Sequence, residues 1–324
     1  MAPDISVNRT EIHPCYIIDN FNNILTNSPS IICVLIYVFL ALLSVITICG
    51  NFLVIISIVY FKQLHTPTNY LILSLAAADL LVGIIVFPFS MVFSFSRCLY
   101  LDGLICKVHG SFHISLGTCS ILTLCCISVD RYYAVCQPLT YTTKINHYVV
   151  AIMILVNWGV SALLGIVVII VGLNSETCEE RCLLNVLITN TIVPILSFYF
   201  PAIIMLCIYL KIFLVALKQA QRIQNTKSGA AVSKMERKAT KTLAVVLGVF
   251  LLCWTPFFLC IIFLPYNNDS VPVHVMETLN WLALSNSMLN PFIYAFFYSW
   301  FRLAFKMIIS GKIFRGDFDN SKLH

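Results

Sequence analysis

The sequence predicts an all-α membrane protein, a seven-transmembrane helix bundle with a short amphipathic helix after the seventh span. Composition, the length of the apolar runs and the placement of charge predict it. Of 324 residues, 60% are hydrophobic and only 10% charged, too little charge to cover a soluble domain. A helix needs about 20 apolar residues to cross a bilayer. Seven stretches reach that length: 31–61, 68–96, 108–129, 148–175, 183–210, 242–268 and 278–301. The second holds one acid, Asp79, and the other six hold none. The expected organisation is an extracellular segment over 1–30, a membrane domain over 31–301 and a cytoplasmic tail over 302–324. The short helix over 300–309 lies on membrane lipid at the inner leaflet through its apolar face.

Orientation follows from lysine and arginine, which cytoplasmic loops retain. With the N-terminus outside, only Arg9, Arg97, Lys107 and Arg181 fall on the outer side, where most of the acids also sit. The net charge of +6 therefore reflects topology. Nucleic acid is excluded as a partner, because the basic residues flank spans and interleave with no aromatic platform. The first 30 residues lack the positive start and apolar centre of a cleavable leader, so the first span is expected to act as its own insertion signal. Asn8-Arg9-Thr10 is an acceptor for N-glycosylation, and Asn268-Asp269-Ser270 is a weaker one. Five of the 14 cysteines fall at or beyond the outer boundary: Cys15, Cys98, Cys106, Cys178 and Cys182. Disulfides persist outside the cell, so two bridges and one leftover thiol are expected, and spacing alone does not pair them.

Polar residues inside a membrane are costly and mark function. Asp79 is expected to be satisfied by Asn51, Ser120, Asn286, Ser287 and Asn290 if their helices face it. The bland reading is a hydrogen-bonded structural aspartate; the sharper one is a sodium site that collapses on activation. Arg131 follows Asp130 at the inner end of the third span. It either snorkels or pairs with Glu236 at the foot of the sixth span, making a contact cheap enough to break in a switch. Pro201, Pro256 and Pro291 fall inside the fifth, sixth and seventh spans and are expected to kink them. No Ser/His/Asp set, metal-binding Cys/His spacing or phosphate-cradling glycine loop is present, so neither an enzyme nor a cofactor beyond sodium is expected. The seventh span holds no lysine, which excludes a retinal Schiff base.

The motifs now identify a family. Gly50-Asn51, Leu75-xxx-Asp79, Cys106, Asp130-Arg131-Tyr132, Trp158, Pro201 with Tyr209, Phe250-xx-Cys253-Trp254-x-Pro256 and Asn290-Pro291-xx-Tyr294 make the chain resemble the rhodopsin-like G-protein-coupled receptors over essentially its full length. The run Asn286-Ser287-xx-Asn290-Pro291-xx-Tyr294-xxx-Tyr298-x-Trp300-Phe301 is similar to the fingerprint of trace amine-associated receptors. The resemblance implies a multi-pass plasma-membrane receptor that binds a small molecule outside and engages a heterotrimeric G protein inside. Most members of that subfamily are olfactory and act through a stimulatory G protein that raises cyclic AMP. It also implies bridges Cys106–Cys182 and Cys15–Cys178, leaving Cys98 unpaired. Trp254 is implied as the toggle beneath the ligand and Phe250 as its relay. Arg131, Tyr209 and Tyr294 are implied to rearrange for the G protein.

One departure stands out. Amine receptors carry an aspartate where this chain has His113, and the tyrosine that assists from the seventh span is Leu284 here. The fifth span offers Ser197 and no acid. The expected ligand pocket comprises His113, Ile114, Gly117, Ser197, Trp254, Phe257, Phe258, Trp281 and Leu284. Desolvating an ammonium costs several kcal/mol without an anion, and the aromatic faces return only ~1–2 kcal/mol, so a simple amine in the usual pose is not expected. Three readings stand: His113 serves a neutral polar or acidic ligand; an amine sits higher, held by Glu277 or by Glu176, Glu179 and Glu180; or His113 only packs and the ligand is apolar. Outside these lie a biogenic-amine-like receptor in non-olfactory tissue and, more remotely, a transporter, which would need paired halves and broken helices.

Overall fold

The computed structural model describes residues 31–96, 103–174, 191–224, 230–263, 273–297 and 299–310. Regular structure among these residues is entirely helical. Helix α1 spans Ile31–Tyr60. Helix α2, Pro67–Leu81, continues through a π-turn at Val82–Val86 into α3, Phe87–Ser96. Helix α4 spans Gly103–Cys136, a short α5 Tyr141–Lys144, and α6 His147–Asn174. A π-turn at Ile195–Tyr199 leads into α7, Phe200–Gln224. Helices α8 (Ala230–Phe263), α9 (Val273–Phe297) and α10 (Ser299–Ile309) complete the order.

Apolar side chains face outward as well as inward. Leu155, Leu252 and Phe296 are each more than 70% exposed, which only a lipid surround tolerates in such numbers. Among the described residues, six helical segments are long and apolar enough to cross a bilayer; the segment Val275–Phe297 qualifies only together with Phe301–Ile309, across a bend of 104°. Its own hydropathy is diluted by Asn280, Ser285, Asn286, Ser287 and Asn290, several of which serve the site described below. Arg302 secures the bend, donating from Nη1 to the Ala295 and Phe296 carbonyls at 3.0 and 2.9 Å. Helix α4 runs through the middle, packed against α2, α6 and α7. This is the expected seven-helix bundle.

Several boundaries differ from the sequence expectation. Helix α8 begins at Ala230 rather than 242, because residues 230–241 hold neither glycine nor proline to stop it. Helix α4 carries Asp130-Arg131-Tyr132 within it and ends at Cys136. The seventh helix ends at Phe297, and Phe301 belongs to α10. Pro256 and Pro291 lie inside α8 and α9 as expected, but Pro201 sits at the start of α7, just past a π-turn. Pro88 stands in the same relation to the turn at Val82–Val86. A proline clashes with the carbonyl four residues back, here Ile84 and Ser197, and both lie inside the widened turns. The i→i+5 spacing makes room for the ring.

Candidate functional site

Asp79 on α2 is fully buried, and three donors from two other helices satisfy it. Ser120 on α4 donates to Oδ1 at 3.0 Å; from α9, Ser287 donates to Oδ1 and Asn290 to Oδ2, both at 2.7 Å. A buried carboxylate without such partners is strongly unfavourable. The other two expected neighbours do not bond it. Asn51 Nδ2 instead donates to the Thr47 carbonyl at 2.9 Å and the Ser287 carbonyl at 3.1 Å. Pro291 explains this: lacking an N–H, it leaves the Ser287 carbonyl without its helical donor, and Asn51 supplies one. Gly50 permits the approach, since a Cβ there would stand 3.0 Å from Pro291 Cβ and Cγ. The Oδ1 atoms of Asn51 and Asn286 are buried without a partner.

A second buried acid lies at the inner end of α4. Asp130 is 0% exposed and accepts from Thr68 Oγ1 at 3.0 Å, Tyr141 Oη at 2.9 Å and Arg131 Nε at 2.8 Å. Arg131 Nη2 also bonds both Asp130 and Thr68. Burial pushes the Tyr141 hydroxyl above its usual range, and the Thr68 hydrogen bond opposes that, so it stays protonated and donates. The structure thus pairs Arg131 with its own neighbour, while the Glu236 side chain lies outside the described residues. Tyr209 Oη accepts from Ser128 Oγ at 3.2 Å, tying α7 to α4. Tyr294 is buried against the Phe301 ring, centroids 6.4 Å apart.

Toward the outer half the aromatic rings form a chain. His113 lies 6.3 Å from Phe257, Phe257 5.5 Å from Phe258, and Phe258 stacks on Phe198 at 4.4 Å and on Trp254 at 5.8 Å. Phe198 in turn lies 5.8 Å from Phe250. Gly117 lets Trp254 seat against α4; a Cβ at 117 would stand 3.1 Å from Cη2. His113 touches Phe257 on α8 and donates a side-chain hydrogen bond to Asn280 on α9, yet is still partly exposed. His113 thus stands between α4, α8 and α9, and its neighbour Ile114 is likewise part-exposed. The Nε2 atom of His113 is enclosed and has no partner, like Ser197 Oγ and Trp254 Nε1. Trp281 and Leu284 sit to one side, packed with Val82, Val86, Phe87 and Leu116.

Residues 50–294 match the seven-transmembrane receptor (rhodopsin family). The chain belongs to that family, in its trace amine-associated branch. It is 43% identical to trace amine-associated receptor 1 of Macaca mulatta over 95% of this chain and 97% of the relative. It is 41% identical to the Homo sapiens receptor of the same name over the same shares, and 44% identical to trace amine-associated receptor 4 of Rattus norvegicus over 91% of each. The receptor is therefore a multi-pass membrane protein and not an enzyme, and its family implies a small ligand and a heterotrimeric G protein as partners.

Cys15, Cys98, Cys106, Cys178, Cys182, Asn8 and Asn268 of the receptor, with the acids Glu176, Glu179 and Glu180, lie outside the described residues or side chains. Sequence reasoning missed Asn280 and His109. The ring of His109 lies 6.3 Å from that of His113, and its Nε2 meets Ser90 Oγ at 3.2 Å. The available signal was the spacing of four, which stacks both rings on one helix face.

Proposed function

We propose that this receptor is a plasma-membrane chemosensor of olfactory type, with its N-terminus outside, that couples to a stimulatory G protein and raises cyclic AMP. Its ligand rests against His113, Ile114, Gly117, Ser197, Trp254 and Phe257, with Phe258, Trp281 and Leu284 as the walls behind. The observation that carries this reading is the enclosed, orphaned Nε2 of His113, at the head of a ring chain leading to Phe250. His113 stands where amine receptors hold their aspartate, so an alkylammonium has no anion here and is not the preferred ligand. Ligand contact at His113 moves Phe257 and Trp254. Pro256 and Pro291 let α8 and α9 swing, and the Asp130–Arg131 cluster with Glu236, Tyr209 and Tyr294 opens to the G protein.

The oxygens around Asp79 suit a hard cation. The carboxylate and the Ser120 and Ser287 hydroxyls would hold sodium, assisted by Asn286 and Asn290, and the ion would stabilise the resting state. Sodium is then expected to weaken agonist binding in the parent receptor and to have no effect in Asp79→Asn. A panel of amines, acids and neutral odorants on cells carrying a cyclic-AMP reporter, beside an uptake assay, tests the main reading. His113→Ala is expected to shift the dose–response curve of any active compound while surface expression holds. His113→Asp is expected to gain a response to alkylamines. An unshifted curve in the alanine variant overturns the assignment of the pocket.

A further inference from the structure

We propose that His109 and His113 form a two-histidine site for a divalent transition-metal ion, zinc or copper, whose remaining coordination positions face the ligand space. The inference deepens the pocket reading above and rests on it for the space at His113. The two residues stand one turn apart on α4, with ring centroids 6.3 Å apart and planes at 41°. Paired imidazoles at i and i+4 of a helix grip one metal ion from the same side, and neutral imidazole is a preferred ligand of zinc and copper. Four side chains that meet the rings, Phe89, Ser90, Phe257 and Asn280, carry no charge to repel a cation.

The surroundings also point each ring the right way. The Val86 carbonyl hydrogen-bonds His109, and Ser90 Oγ meets its Nε2. With the Nδ1 proton given to the carbonyl, the Nε2 lone pair would be left for the metal, and such a backbone carbonyl is a usual outer partner of a metal-bound histidine. His113 mirrors this. Its Nε2 has no partner, so the Asn280 bond falls on Nδ1. A buried orphan nitrogen is unfavourable by itself, and a metal satisfies it. Ions bind imidazole at about 2.0–2.1 Å, so the rings close slightly by side-chain rotation and the Ser90 hydroxyl leaves His109 Nε2.

Among the described residues no group of three or more His, Cys, Asp or Glu side chains surrounds a metal. The described residues therefore supply two ligands, and with those two the ion stays open like a catalytic zinc rather than closed like a structural one. That opening suits a Lewis base. An amine would bind by its lone pair: the ammonium releases a proton to water, and its nitrogen displaces a metal-bound water. A pocket without a carboxylate thereby still takes an amine or a thiolate.

The test uses the full receptor, purified without a histidine tag in detergent, and its melting temperature with zinc or with a chelator. Zinc is expected to raise the melting temperature with dose. His109→Ala and His113→Ala should each abolish that rise, Asn280→Ala should weaken zinc roughly tenfold, and His65→Ala with His147→Ala should leave it intact. Copper should give a paramagnetic spectrum with two imidazole nitrogens. Because each variant is compared with itself, altered folding does not mimic the result. No rise in the parent receptor, or an equal rise in the double variant His109→Ala/His113→Ala, overturns the metal site. Agonist activation that survives chelation and still depends on His113 removes the metal and leaves the pocket.

Discussion

The two buried acids of the inner half and the orphaned atoms around His113 in the outer half stand in opposite conditions. In the inner half Asp79 and Asp130 are both fully buried, and each carboxylate has three or more donors within hydrogen-bonding distance. In the outer half His113 Nε2 and Ser197 Oγ are enclosed with none. Buried polar groups normally find partners, so the orphaned atoms of the proposed pocket are prepared for something the described residues do not provide. The Asp130 cluster stores its switch in bonds already made; His113 Nε2 waits for a ligand to make one.

The contrast breaks most visibly at Asp130. Asp130→Ala takes the acceptor from Thr68, Tyr141 and Arg131 together and leaves a partly buried guanidinium uncompensated. Removing one member of a buried ion pair costs about 3–5 kcal/mol; with the Arg131 side chain 25% exposed, the lower end is expected. Thermal melting of the purified variant checks this, and an unchanged melt would show the cluster to be ornamental. Signalling without ligand should also rise, since Arg131 is released.

Next comes Asn51→Ala, which removes the donor that Pro291 makes necessary. The Ser287 carbonyl is then buried unsatisfied, at about 1–3 kcal/mol. Adding Pro291→Ala should recover much of that stability, because an alanine N–H restores the helical bond. If the double variant is no more stable than Asn51→Ala alone, the coupling between helix α1 and the proline is absent. Tyr141→Phe removes one of several hydrogen bonds to Asp130 and should cost only about 1 kcal/mol.

These cases also show what the sequence makes legible. The bundle was readable because each span is a long apolar run, and Asp79 because a lone acid in such a run demands partners. Ser120, Ser287 and Asn290 were correctly expected to bond it. Asn51 was not correctly placed, because its competing acceptor exists only through proline geometry one helix away. The π-turns before Pro88 and Pro201 were illegible, since relief of a proline clash by kink or by widened turn is decided by packing. His109 went unnoticed because its meaning depends on which face of α4 looks inward, and amino-acid type alone does not say.

The smallest expected effect is the one that separates the halves most sharply. His113→Ala deletes a nitrogen with no partner, so the cost of leaving it orphaned vanishes along with the ring's contact to Phe257 and its bond to Asn280. The two terms oppose each other. The ligand-free melting temperature should therefore move little, far less than for Asp130→Ala. Stabilisation by an agonist, which scales with its occupancy of the folded state, should nevertheless be lost. A large fall in ligand-free stability would mean that His113 is part of the packing, and the outer half would then be built on the same rule as the inner one.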